Sequence, residues 1–330
     1  MTAIAGISYG ALPRQDLLET VELYEVVNER DKFLRIAPLM DVRARHSRMQ
    51  KEGTNSLLNE AAPENPVNPV TWNAPARTAA IEWATFDIDL LRYAHDGLII
   101  SNHDLEEGRA YAIDPEAKWF KDSFGHALAI LGRRQGVTLA TSGNYAGANQ
   151  STSLAINVPT ADLVAAVQAV KQRFRDSGVG AENIIAVCND VMLDLMTSLD
   201  QVREQVAITG FTTASSTVRR TGTVTSEEVV AWFKVKFNID LIVVETRTIR
   251  STGTATPVIA NDLYFLKADA GPAGASFLKT GIRSDYGGSW TMPTQYPVHN
   301  PEGIGYYMDT VFGLGLPSNL LGFVYLGIDS

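Results

Sequence analysis

One cysteine in 330 residues, Cys188, excludes both a disulfide framework and a cysteine-built zinc site, since each needs several thiols. It lies in the apolar run IIAVCNDVML, where a free thiol acts as a small hydrophobe. No apolar run reaches the ~18 residues that cross a bilayer. MTAIAGISYGALPRQD has no basic stretch leading into an apolar core, so a secretory signal is not expected. Positive charge is in deficit. With 28 Lys and Arg against 37 Asp and Glu, the net charge is -9 and the pI is near 5.1. That balance argues against a protein that grips nucleic acid, because neutralising phosphates takes clustered cations; it is compatible with a wall that faces DNA without adhering to it.

Signatures of catalysis are missing as well. His46, His95, His103, His126 and His299 fall at no metal-ligand spacing. His103 beside Asp104 reads as helix capping, and His126 as a helix flank. GPAGASFLKTG lacks the GKS or GKT ending of a phosphate loop, and no GxSxG elbow occurs. GLGLPSNLLG, from Gly313, has Pro317 where a dinucleotide-binding helix would extend and no βαβ unit around it, so its glycines read as turns between strands. Glu106/Glu107 and Glu227/Glu228 each fall in an expected first helical turn, where the macrodipole stabilises negative charge without any acid–base role. No catalytic residue, cofactor or metal site is therefore expected.

What the chain does have is apolar surface and clear element boundaries. At 45% hydrophobic it can bury a full core, and its length suits about two domains. LPRQDLLETVELYEVVNERDK, Leu12 to Lys32, sets Leu17, Leu18, Val21 and Tyr24 on one helical face behind Pro13 and Asp16, and FLRIAPLMDV then reads as an extended strand broken at Pro38. Asp114, Pro115 and Glu116 supply a cap, a first-turn proline and an acidic first turn to a central helix over 114–136. Phe120, Phe124, Ala127, Leu128 and Leu131 form its core face, and Arg133 and Arg134 precede a stop at Gly136. Thr160 is expected to cap a helix burying Leu163, Val167 and Val170. NIIAVC, from Asn183, is a short buried strand, and NDVMLDLMTSLDQVREQV the next helix. A capped helix from Thr225, TSEEVVAWFKVKF, runs into the buried strand DLIVVETRT, and ANDLYFLKAD follows. From Ser276 short strands are punctuated by Gly and Pro, which completes an α+β chain.

The stretch after Val42 is of another kind. RARHSRMQKEG carries the basic cluster Arg43, Arg45, Arg48 and Lys51, and TNSLLNEAAPENPVNPVTWNAPART spaces Pro63, Pro66, Pro69 and Pro75 too closely for any helix. So long a segment without elements of its own is functional or a linker. AAIEWATFDIDLLRYAHD then alternates Ile81, Trp83, Thr85, Asp87 and Asp89 against Glu82, Ala84, Phe86, Ile88 and Leu90, a period of two that suits a returning strand. Outgoing and returning strands make a long hairpin with little apolar surface of its own, so a neighbouring subunit is its expected anchor. The basic cluster has no interleaved aromatics for stacking bases and fits acidic residues of an adjacent copy better than nucleic acid. Leu57, Leu58 and Trp72 are the apolar candidates for the same contact.

Placed in order, these parts resemble the subunit of tailed-phage major capsid proteins of the HK97 type along nearly the whole chain. IDPEAKWFKDSFGHALAILGRR looks like the spine helix that follows the family's extended loop, and NIIAVCNDVMLDLMTSLDQV like its buried strand and helix. SEEVVAWFKVKFNIDLIVVET resembles the axial-domain helix and strand, and NDLYFLKAD the strand after a surface loop. The resemblance implies an HK97-like capsid fold: N-terminal arm 1–33, a strand 34–42 leading into the peripheral domain, extended loop 43–90, peripheral domain 91–158 with spine helix 114–136, axial domain 159–275, and closing strands 276–330.

It also implies a structural protein, not an enzyme. Hexamers and pentamers would close into an icosahedral shell around double-stranded DNA, assembled in the host cytoplasm and located in the virion. Scaffolding, portal and decoration or cement proteins are the implied partners, with weak non-specific proximity to packaged DNA and no membrane. The family's long N-terminal scaffolding domain has no counterpart, which implies a separate scaffold or none. Lys51 lies where some members cross-link a loop lysine to an asparagine, but no partner Asn aligns, so covalent linkage is not expected. The alternatives are an encapsulin-like compartment shell, which shares the fold, and, more distantly, a tail or baseplate component or a soluble α+β hydrolase built on an Asp/Glu pair.

Overall fold

A computed structural model of the chain describes residues 12–13, 26–52, 83–93, 97–103, 115–209, 224–249, 255–269, 276–283, 290–299 and 302–326. In chain order the elements begin β1 (Leu12–Pro13), α1 (Val26–Ile36), β2 (Leu39–Val42), β3 (His46–Glu52), β4 (Trp83–Asp89), β5 (Leu91–Tyr93), β6 (Leu98–Ser101) and α2 (Pro115–Ala140). They continue β7 (Gln150–Ser151), α3 (Leu163–Asp176), β8 (Ile184–Asn189), α4 (Asp190–Ser198), α5 (Asp200–Thr209), α6 (Ser226–Phe237) and β9 (Asp240–Val244). Last come β10 (Arg247–Ile249), β11 (Ala255–Pro257), β12 (Leu263–Lys267), β13 (Lys279–Arg283), β14 (Thr291–His299), β15 (Glu302–Gly315) and β16 (Gly322–Tyr325).

A strand such as IIAVC has no polar alternate positions to turn to water and is stable only with both faces covered. β8 meets that condition inside a five-stranded sheet ordered β7-β16-β12-β8-β9, parallel to β9 and antiparallel to β12. Ile184, Ala186 and Cys188 join the core beneath α3 to α6, while Ile185 and Val187 join the core that holds α2. Burial pushes the Cys188 thiol far above its ordinary range, so it stays protonated and inert. At α6 the Thr225 hydroxyl accepts from the Glu228 amide and the Glu228 carboxylate accepts from the Thr225 amide, a reciprocal capping box. Asn238 closes that helix in the left-handed region, φ 51°, before β9 starts.

The largest sheet among the described residues has seven strands, β1-β14-β15-β13-β2 with β5 and β6 also paired to β15, while β10-β11 and β3-β4 form two-stranded sheets. Its two faces carry different partners. On one lies α2, whose Phe120, Phe124, Leu128 and Leu131 are buried; Phe124 meets the Trp290 ring at 5.8 Å and Trp119 meets Tyr306 at 5.7 Å. On the other lies a smaller cluster of Met40, Val42, Ile88, Leu90, Met292 and Val311 under the base of the β3–β4 hairpin. The core containing α2 draws residues from both sheets, Ile185 and Val187 from one and Met308 and Phe312 from the other.

Several local expectations give way to tertiary packing. Helix α1 continues through Ile36, so FLRI is helical and the extended strand starts only at Leu39; Phe33 and Ile36, three residues apart, are both fully buried on its inner side. Leu17, Leu18, Val21 and Tyr24 lie outside the described residues, as do Asp114 and the Glu106/Glu107 pair. Helix α2 does not stop at Gly136 but runs to Ala140. Gly136 is a close-approach residue, for a Cβ there would stand 1.8 Å from the Val258 carbonyl oxygen, and Gly132 does the same for the Phe33 ring. Asp162, not Thr160, caps α3, accepting from the Ala165 amide at 2.9 Å while the Gln201 side chain steadies it.

NDVMLDLMTSLDQVREQV is two helices, because Leu199 is extended and the Asp200 amide turns away to the Pro159 carbonyl. The glycines around Gly313 are not turns either. Gly303, Gly305, Gly313 and Gly315 sit inside the fourteen-residue strand β15, where the missing side chains admit neighbours: the Tyr296 ring covers Gly305, and Ile88 lies over Gly313 and Gly315.

Candidate functional site

The feature that leaves the two-sheet body is the hairpin. β3 and β4 pair antiparallel in seven steps, from His46 opposite Asp89 to Glu52 opposite Trp83. A period of two sorts their side chains. Met49, Phe86 and Ile88 turn inward, while His46, Arg48, Asp87 and Asp89 turn to solvent. Across the strands Arg48 Nε donates to Asp87 Oδ1 at 2.9 Å and His46 Nδ1 lies 2.7 Å from Asp89 Oδ1. The hydrogen bond with Asp87 raises the Arg48 guanidinium above its ordinary range. These water-exposed pairs favour one register more than they add stability.

Inward, Ile88 is fully buried on three glycines. A Cβ at Gly281, Gly313 or Gly315 would stand 2.6, 3.0 and 2.6 Å from its side chain, so the hairpin base rests almost directly on sheet backbone. The Leu90 amide donates to the Arg45 carbonyl at 2.8 Å and closes that base.

Beside it is a cavity of about 620 Å³ lined by Val42, Arg43, Ala44, Arg45, Leu90, Arg92, Arg283 and Val311. Strand pairing assembles the four arginines: Val42 stands opposite Arg283 in the β2–β13 register, and Arg92 opposite Val311 in the β5–β15 register. Arg92 Nε meets Asp309 Oδ1 at 2.5 Å. The side chains of Arg43 and Arg45 are exposed and make no ion pair among the described residues. Arg43 and Arg45 are thus at the cavity, whereas Arg48 is engaged within its own hairpin. Lys51 stands opposite Ala84 in the β3–β4 register, and Leu57, Leu58 and Trp72 lie outside the described residues. Arg92 and Arg283 escaped sequence reasoning because nothing within a few residues of either marks it; only the sheet register brings them to Arg43.

A second cavity of about 440 Å³ lies along α3, lined by mostly small and apolar residues between Ser153 and Ala169, by Asp162 and by Tyr325. Among the described residues no group of three or more His, Cys, Asp or Glu is placed to hold a metal, and no helix is long and apolar enough to cross a membrane. His103 and His126 are both exposed.

No protein-family model matches the chain, and no curated protein matches its sequence. Solved structures do match. The chain is similar to a phage-related protein from Bordetella bronchiseptica RB50, at 13% identity over 97% of this chain and 98% of that one, with a TM-score of 0.67. It is similar to the capsid structure of cyanophage P-SCSP1u, at 10% identity over 98% and 91% of the two chains, TM-score 0.55. It also matches the mature capsid of bacteriophage PhiM1, at 10% identity over 89% and 86%, TM-score 0.50. The class these likenesses define is a fold: the chain has the α+β, HK97-like capsid fold.

Proposed function

We propose that this protein is a major capsid subunit, structural and not enzymatic, whose copies assemble as hexamers and pentamers into an icosahedral shell enclosing double-stranded DNA. The observation that carries the reading is likeness in fold over almost the whole length, 98% of this chain and 91% of the cyanophage capsid chain. In this reading residues 43–90 form the extended loop, 91–158 the peripheral domain around α2, and 159–275 the axial domain, with 1–33 as an arm and 276–330 as closing strands. Leu57, Leu58, Trp72, Arg43, Arg45, Arg48 and Lys51 are the proposed loop contacts to neighbours. The product is a virion component, assembled in the host cytoplasm with scaffolding, portal and decoration proteins as partners.

The physical logic is additive. A hairpin gains little from its own core and much from apolar area covered on a neighbour, at ~25 cal/mol per Å², and closed symmetry repeats each contact many times. The test is negative-stain electron microscopy of the purified protein produced alone and with crowding agent. Closed hollow particles or hexameric capsomers are expected. Protein that stays a dispersed monomer in both conditions refutes the reading, and open tubes or single rings replace it with that of a tail component.

A further inference from the structure

We propose that the passages of the chain between the seven-stranded and the five-stranded sheet are locked together by a clasp around Asn149, and that this clasp holds the two sheets at one angle. Among the described residues the chain crosses between these sheets three times: from β6 to β7, from β12 to β13 and from β15 to β16. Asn149, just before β7, donates through its side-chain amide to the Gly322 carbonyl at 3.0 Å and the Leu320 carbonyl at 3.3 Å, both where β15 leads into β16. Alongside, the Ala146 amide donates to the Asn319 carbonyl at 3.1 Å. Tyr145 brings in the remaining passage, its ring stacked on that of Phe277, just before β13, with centroids 4.8 Å apart. Both rings lie on bare backbone at Gly322, where a Cβ would stand 2.5 Å from the Phe277 ring and 2.9 Å from the Tyr145 ring. Asn149, Tyr145 and Phe277 are almost fully buried, so water does not compete for these contacts.

The same segment is fastened to the end of α2. The Tyr145 hydroxyl donates to the Leu139 carbonyl at 2.9 Å and Asn144 Nδ2 to the Thr138 carbonyl at 2.7 Å, two of the acceptors that a helix end leaves without partners inside the helix. Helix α2 lies on the seven-stranded sheet, whereas β16 is an inner strand of the five-stranded one, so turning one sheet against the other breaks the clasp. The apolar core shared by the sheets resists their separation but is non-directional. Hydrogen bonds and stacked rings depend on orientation and weaken steeply when misaligned, which makes Asn149 a positioning residue. In the shell reading above, on which only this consequence rests, one angle in every copy gives one curvature, because a closed symmetric object repeats the shape of its subunit.

The experiment places nitroxide labels on Ile99→Cys/Arg173→Cys protein, one on β6 of the seven-stranded sheet and one on α3 against the five-stranded sheet. Both positions are exposed, and Cys188 is buried and inert to the label. Pulsed electron paramagnetic resonance, at concentrations below assembly, is expected to read one narrow distribution of distances. Asn149→Ala should broaden that distribution and, in unlabelled protein, give shells of more than one diameter by electron microscopy. Asn144→Ala also loses a side-chain bond to a carbonyl, but only at the end of α2, and should leave the width and the shell diameter as in wild type. Gly322→Ala, which must push both rings aside, should broaden the distribution as Asn149→Ala does, and it carries the test if Asn149→Ala does not fold.

A distribution as narrow as that of wild type in whichever variant folds overturns the clasp and leaves the shell reading intact. Equal broadening by Asn144→Ala also overturns it, in favour of a general loosening. Broadened distances with shells of a single diameter overturn the link to curvature, and the clasp stands. Wild type that never self-associates removes the shell reading, and the distances alone then decide the clasp.

Discussion

Of the three glycines in helix α2, Gly125 and Gly136 are expected to respond in opposite ways to the same substitution. A Cβ at Gly125 meets nothing within 4 Å, so Gly125→Ala adds only helix propensity and should stabilise by ~0.5–1 kcal/mol. A Cβ at Gly136 would lie 1.8 Å from the Val258 carbonyl oxygen, 2.9 Å from its carbon and 3.5 Å from Ile259 Cδ1. To reach ordinary contact, helix and segment must part by about 1.5 Å. Overpacking of this kind costs ~1–3 kcal/mol, and here the obstacle is backbone, which cannot rotate away, so the upper part of that range applies. After the propensity gain is subtracted, Gly136→Ala should lose ~2 kcal/mol, and the two variants should differ by ~3 kcal/mol. Urea unfolding followed by far-UV circular dichroism, at concentrations too low for assembly, measures both. Equal stabilities, or a Gly136→Ala protein more stable than wild type, would refute the close approach of α2 to the Val258 segment.

Other consequences can be checked as directly. Gly313→Val should lift the hairpin base, since its Cβ would stand 2.3 Å from the Asp89 carbonyl oxygen; faster hydrogen exchange across β3 and β4 is expected, and unchanged exchange would contradict the seating. Phe124→Ala should cost ~3–5 kcal/mol by opening a cavity against Trp290 and Phe120, and a loss below ~1 kcal/mol would show that the face is not packed. Asp240 takes a hydrogen bond from Lys234 at 2.5 Å and pairs with Arg35 at 2.7 Å, and these hold its carboxyl below the usual range. A lowered folded value stabilises fully above the unfolded pKa of ~3.9 and loses that contribution as pH falls through the folded one. Asp240→Asn should therefore lose ~0.5 kcal/mol at neutral pH, the pair being partly exposed, and converge on wild type as the pH falls through the folded value. A difference that persists in acid would point to another cause. Replacing residues 54–76 with a short Gly-Ser link should leave a folded subunit that no longer builds shells, and normal shells would remove the role proposed for that loop.

Signals that act within a few residues were legible in the chain alone. The unbroken apolar run of β8 announced a strand covered on both faces, Thr225 and Glu228 announced a helix start, and the alternation from Trp83 to Asp89 announced a strand with Phe86 and Ile88 on one side and Asp87 on the other. Each follows from local geometry: hydrogen bonds three or four residues apart, or side chains alternating along a pleat. Tertiary structure decided the rest. Gly303 and Gly313 look like turn residues until β15 is seen to need bare backbone beneath Ile100 and Ile88. Gly136 looks like a helix stop until Val258 is found against it, and FLRI looks extended until Phe33 is found on Gly132. Arg283 has no relation to Arg43 in the sequence and comes beside it because β2 and β13 pair in one register. Cores and sheet registers join residues that are hundreds of positions apart, and that long-range choice depends on which whole faces can cover one another, which no single segment encodes.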